Sequence, residues 1–444
     1  MKKMTSGNPL KLILSFALPL FVGQLFQLFY GLVDTRIVGA TLGENALAAV
    51  GSTSTLNDLL IALLNGVTNG FAIIIATYFG AKDEKHMKKA VSGTIVLGIG
   101  AALLISVLSL LFLTPILSFL NIAPNLLPQA RAYISVILAG LIAATCYNIC
   151  AAILRAIGDS FTPLIFLVIS TILNIFLDYA FILYFHMGVA GAAFATVLSQ
   201  AFSAILCFVY MYQKYPLLHL NRQDIRPHGE VYKKLLSTGL SMSFMMSFVQ
   251  FGTLTLQTSI NTFGINTIVA HAAARKVTSI YFMPSSVLGT TLSTYCGQNL
   301  GAGKYSRIKK GLKDTLFLTW GWCIIVLFLT YTLAPTFIRL ITASTEPEII
   351  ETATLYLRVN SLFYFVPVAI SLLRNSMQGF GDSRTPVFSS FLELAGKMTI
   401  AFGLAPVIGY WGIIVAEPIV WFIMEIPLIV NTVRNPIFNQ ADWA

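Results

Sequence analysis

The chain has 444 residues, of which 56% are hydrophobic and only 10% charged, with a mean hydropathy of +0.79. Roughly a quarter of a soluble domain is charged, so a soluble globular fold is excluded and an all-α, polytopic membrane protein is expected. The net charge of +10 does not call for nucleic acid, because the basic residues fall in loops between apolar runs.

Twelve helices are expected, over about 11–40, 52–80, 91–114, 130–155, 162–185, 188–212, 233–262, 276–300, 311–340, 350–378, 386–407 and 410–432. The first apolar run follows "MKKMTSGNPLK" and continues past Gly31 without a small-residue cleavage site, so no cleavable signal peptide is expected. With this set of helices, 21 of the 28 basic residues lie on one side, six on the other, and Lys397 within a span. The basic side is cytoplasmic, which places both termini in the cytoplasm and makes the span count even. His271, Arg275 and Lys276 then fall near the outer end between the seventh and eighth helices, in a solvated loop or, alternatively, at the rim of an outward-facing cleft. The five cysteines lie in apolar segments without metal-ligand spacing, so they read as small buried residues.

The chain repeats itself. "FGAKDEKHMKKAV" (79–91) resembles "LGAGKYSRIKKGL" (300–312) at an offset of 221, and "LRAIGDSFTP" (154–163) resembles "MQGFGDSRTP" (377–386) at 223 with five of ten positions identical. "GVAGAAFAT" (188–196) matches "GYWGIIVAE" (409–417) more weakly. The expected organisation is therefore an N-lobe over 1–213, a cytoplasmic linker over 214–232 and a C-lobe over 233–444. Six helices return a chain to its starting side, so the lobes are parallel repeats flanking a central cleft, an arrangement suited to alternating access. "GDSFTP" and "GDSRTP" read as turns in which Gly and Asp end one helix while Ser or Thr caps the next.

Ionisable residues inside spans are functional candidates because lipid does not solvate them. Asp34, in "FYGLVDTRIVG", lies nine residues before Gly43, roughly 13 Å below the outer surface. Asn174 and Asp178, in "TILNIFLDYAF", are four apart and share a helix face. Asp178, eight residues before His186, and Thr196, eight after Gly188, both lie roughly 12 Å deep. Two carboxylates, an amide oxygen and a hydroxyl at one level suit a hard cation such as Na⁺, or a proton shared by two acids. The competing reading pairs Asp34 with Arg36 in an exit loop. Gln27 and Tyr30 extend the polar stripe of the first helix and, with Glu417, are candidates for lining the substrate cleft. Pro19 marks a place where that helix can bend. The second half lacks the acid set. It carries Glu393 and Lys397, an i,i+4 pair able to neutralise itself, and Glu417 and Glu425 on the last helix.

The segments 17–39, 151–163, 173–182, 188–196 and 378–386, in this order and spacing, resemble the multidrug and toxic compound extrusion (MATE) transporters, over essentially the whole chain. The resemblance implies two six-helix lobes around a cleft and antiport of H⁺ or Na⁺ against exported organic compounds, often cations. Asp34, Asn174, Asp178 and Thr196 match the cation-site positions of prokaryotic members that use the N-lobe, and Pro19 matches their bending proline. Segments 253–264 and 362–373 lack the acids that other branches carry there, so the branch is closest to the DNA-damage-inducible type.

The expected function is thus secondary active antiport, in a prokaryotic inner membrane. The expected partners are small organic substrates and membrane lipids, without nucleic acid, with the protein a monomer needing no cofactor beyond its coupling ion. A flippase for lipid-linked oligosaccharides or lipids is the alternative within transporters. An intramembrane enzyme is disfavoured, because no HExxH or GxSxG motif is present and the five histidines are expected to lie apart.

Overall fold

The computed structural model describes residues 3–120, 122–342, 345–440 and 442, and among these the chain is helix and turn without a strand. In the first half, α1 (Pro9–Leu42), α2 (Glu44–Gly80) and α3 (Glu84–Leu111) are followed by a short α4 (Leu113–Phe119). Helices α5 (Leu127–Ala139) and α6 (Leu141–Ala156) form one span bent by 43°. Helix α7 (Phe161–Tyr179) runs into a π turn at Ala180–Tyr184, and α8 (Gly188–Lys214) ends the half. The second half repeats the plan with α9 (Gly229–Ile260), α10 (Ile265–Gly301) and α11 (Tyr305–Thr342). A span bent by 60° follows, made of α12 (Pro347–Ser361) and α13 (Phe365–Gly379). Helix α14 (Arg384–Thr399) then runs through a π turn at Ile400–Leu404 into α15 (Ala405–Ile408), and α16 (Tyr410–Arg434) is the last.

With each bent pair counted as one span, 11 helices among the described residues are long and apolar enough to cross a membrane. The twelfth is α10, which has 37 residues but is more polar. It tolerates polarity because it is enclosed: nearly every side chain from Val287 to Asn299 is buried by its own unit rather than facing lipid. The turn preceding it is held by Gly264 in the left-handed region (φ +95°). Helix eight therefore begins at Ile265 rather than near 276, and His271, Arg275 and Lys276 sit on it instead of in a solvated loop.

The chain forms two compact units, one of residues 1–3 and 15–243, the other of 4–14 and 244–444. The border lies within α9, and close backbone packing explains why its first turns stay with the first unit. A Cβ on Gly66 or Gly70 of α2 would lie 2.5 Å from the Cα of Ser243 or Gly239 respectively. Small residues four apart on both helices let the backbones touch, which is how spans associate where lipid offers no hydrophobic drive. The expected linker is not a free tether either, since Tyr215, Leu218 and Val231 are buried in the core of the first unit. The segment after residue 3 joins the second unit because its backbone is captured there. Gln298 accepts the Met4 N–H at 3.0 Å, Lys304 donates to Thr5 O at 2.9 Å, and Arg307 donates to Met4 O and Gly7 O.

Both GDSxTP turns use aspartate, not serine or threonine, as the cap. Asp159 accepts from Thr162 N (3.0 Å) and Thr162 Oγ1 (2.6 Å), and Asp382 accepts from Thr385 N and Oγ1 in the same way. The acid wins because its two oxygens satisfy a backbone donor and a side-chain donor at once. Tyr215 OH also donates to Asp159. Burial raises the Asp159 carboxyl, but the bonds from Thr162 and Tyr215 outweigh it and hold the group below its ordinary value. A depressed carboxylate stabilises the fold above its unfolded pKa of about 3.9 and loses that contribution as pH falls through the folded value. Asp159→Ala is expected to cost about 1–2 kcal/mol at neutral pH. Thermal melts should show the gap from wild type closing below about pH 4.

Candidate functional site

In the first unit, α1, α7 and α8 bring the predicted ligands together. Helix α1 runs unbroken from Pro9 through Pro19 and Asp34 to Leu42, so Asp34 is on a span, not in an exit loop. Among the described residues no ion pair joins Asp34 to Arg36. Asn174 and Asp178 are almost fully buried on α7. With the Asn174 amide oriented to satisfy both its ends, Nδ2 donates to Asp178 Oδ2 at 3.0 Å and Oδ1 accepts from Thr196 N at 3.1 Å. Tyr30 OH lies 3.2 Å from Thr196 Oγ1. The Asp34 and Asp178 carboxyls come within hydrogen-bonding reach of each other. Asp34 Oδ1 and Asp178 Oδ1 are buried without a hydrogen-bond partner. Two carboxyl groups in contact require either a shared proton or a cation between them. The remaining donor set is neutral oxygen, and among the described residues no cluster of three or more His, Cys, Asp or Glu forms a multivalent metal site. The π turn begins two residues after Asp178, a distortion that recurs at functional positions in helices.

The second unit answers its charges with salt bridges. Glu393 on α14 accepts from Lys397 Nζ at 2.7 Å and from Arg374 Nη1 at 3.0 Å, with all three side chains buried. Arg374 also donates to Ser389 Oγ, which donates onward to Met424 O. Glu417 on α16 faces Arg275 of α10 at 3.5 Å and accepts from Tyr356 OH at 2.5 Å. His271 Nδ1 meets Tyr410 OH at 2.9 Å.

Comparison with known proteins bears on both halves. The MatE family model matches residues 19–180 and again 241–402, so the internal repeat is two copies of one family unit. The chain belongs to the MatE family. It is similar to the probable multidrug resistance protein YpnP of Bacillus subtilis, with 28% identity over 304 residues, 68% of each chain. It is also similar to the probable multidrug resistance protein NorM of Thermotoga maritima, with 25% identity across 88% of this chain and 85% of that one. Its fold is that of a structure described as MATE in the bent conformation, with a TM-score of 0.91, 22% identity and coverage of 98% and 97%. This MatE chain is a multi-pass membrane transporter.

Several residues of this MatE protein escaped sequence reasoning. Tyr133, brought in by α5, faces the Asp34–Asp178 pair, and Asn57 of α2 has an unpartnered buried Oδ1. Asn57 lies beside Asp58 on α2 and Tyr133 two residues after Arg131 on α5, and those neighbouring charges are the sequence signal that marks both places. Arg374, one of the 21 basic residues counted to the cytoplasmic side, is only 6% exposed on α13, where Glu393 draws it in. Gln27 is exposed on α1 and makes no hydrogen bond among the described residues. The histidines are not all apart: His86 and His228 meet edge to face at 5.7 Å between ring centroids, brought together by the folding of residues 214–229 onto the first unit. Removing Glu393 leaves two buried cations without their acid, and breaking such a pair costs about 3–5 kcal/mol. Glu393→Gln should therefore lower the melting temperature of purified protein far more than Lys397→Met, which keeps the Arg374–Glu393 bond.

Proposed function

We propose that this transporter is a secondary active antiporter. In this reading it exports amphipathic or cationic organic compounds from a prokaryotic cell, as a monomer in the inner membrane with both termini cytoplasmic, in exchange for H⁺ or Na⁺. The observation that carries this reading is the Asp34–Asp178 pair, ringed by Asn174, Thr196 and Tyr30 on three helices. In the ion-free state the two acids share a proton. An incoming Na⁺ joins it among the same oxygens, or a second proton binds, and either one neutralises the pair. Either event changes the net charge buried between α1 and α7, and so changes which helix arrangement is favoured, as coupling requires. Pro19, on the same helix as Asp34, removes one backbone bond and gives α1 a place to yield. The family duplication supports alternating access by the two lobes. That its relatives are described as probable multidrug resistance proteins supports organic compounds as cargo.

Asp34→Asn retains size and hydrogen-bonding capacity but cannot change charge. In everted vesicles it should reduce gradient-driven ethidium transport to the level of vesicles without the protein, with an unchanged melting temperature. Separate Na⁺ and pH jumps applied to wild type assign the ion. Full transport by Asp34→Asn would overturn the coupling role.

A further inference from the structure

A cavity of about 140 Å³ lies inside the second unit, with a polar lining of Thr253, Gln257, His271, Arg275, Lys397 and Glu417. Sites that enclose a whole drug-sized molecule run to roughly 300–1,000 Å³, so this space takes a head group rather than a complete compound. The charges around it do not balance. Two cations (Arg275 and Lys397) and one acid (Glu417) line it, and behind the wall Glu393 serves both Lys397 and a third cation, Arg374. Among the described residues no further acid forms an ion pair with this group. One positive charge is therefore left over in a setting where an unmatched charge is costly.

Arg275 is the group free to use it. Its guanidinium approaches Glu417 Oε1 only to 3.5 Å, and its side chain keeps 37% of its surface exposed against 2% for Glu417. The second Glu417 oxygen is occupied by Tyr356 OH at 2.5 Å. Five N–H donors in a planar fork match a carboxylate bidentately, and the contacts to Glu417 and Tyr356 leave further donors for a ligand. Lys397 Nζ, held by Glu393 and 3.3 Å from Thr253 Oγ1, supplies the second positive charge at the wall. The surplus is one unit, which matches a monoanion rather than a phosphate dianion.

We propose that this cavity binds the carboxylate of an organic compound, with Arg275 as its bidentate anchor and Lys397 as the supporting charge. The site would admit zwitterionic and acidic amphipaths in addition to cations. It stands on residues of the second unit alone, and binding needs no ion gradient, so its test is independent of the coupling reading.

The test is a fluorescence titration of full-length purified protein in detergent with dansylglycine and with its methyl ester, which differ in the carboxylate alone. Wild type should bind the acid at least about tenfold more tightly than the ester, the scale of one charge-assisted bidentate contact. Arg275→Gln should bring the two within about threefold, and Arg275→Lys should keep part of the preference. Glu417→Gln removes the competing carboxylate and should tighten acid binding, which carries the test if Arg275→Gln shows no thermal transition. Equal binding of acid and ester by wild type, an undiminished preference in Arg275→Gln, or acid binding by Glu417→Gln no tighter than wild type would overturn the assignment.

Discussion

A charge removed from water must be answered at close range by other groups of the protein, and the cost of failing to do so is several kcal/mol per ion. Lipid makes this stricter, since neither solvent nor salt reaches the middle of a span. Each unit meets the demand in its own way. The first gathers two carboxyls and surrounds them with an amide, a hydroxyl and a phenol, a set that a proton or a monovalent cation completes. The second sets cations against acids directly, through Arg374–Glu393–Lys397 and Arg275–Glu417. One unit is thus left in need of positive charge and the other in need of negative.

This divergence is built on a shared backbone. The π turns at Ala180–Tyr184 and Ile400–Leu404 occupy matching places in the two copies, each ending a long helix that carries polar groups one or two turns earlier. The aspartate caps at 159 and 382 match as well. The duplicated parts are those that hold helices together, whose chemistry is indifferent to what the lobe carries. Side chains facing the polar interiors differ: acids with an amide, a hydroxyl and a phenol in the first unit, cations set against acids in the second.

Periodicity and depth made part of the site legible. Asn174 and Asp178 share a face because they are four apart on a helix, and Asp34 and Thr196 fall at the same level because each lies eight or nine residues from a turn. Tyr133 was not picked out because a tyrosine in an apolar span carries no charge of its own: α5 packs on α2 and α8, and that places its ring against the cluster of Ile37, Val38 and Ile182. His271 and Arg275 were misplaced for a related reason. Polarity ordinarily signals a loop, but in an enclosed helix polar groups face protein, and the rule that equates span with grease applies only to the lipid-exposed wall.

The sequence by itself determined the membrane-spanning helical class, the duplication, and the acids of the first half, since composition, repeat offset and helical spacing are one-dimensional properties. Tertiary structure alone decided that Glu393 serves two cations, that Glu417 is shared between Arg275 and Tyr356, and that one positive charge is left beside a cavity. Those facts depend on which helices meet, and electrostatic balance is a property of neighbours in space, not in the chain.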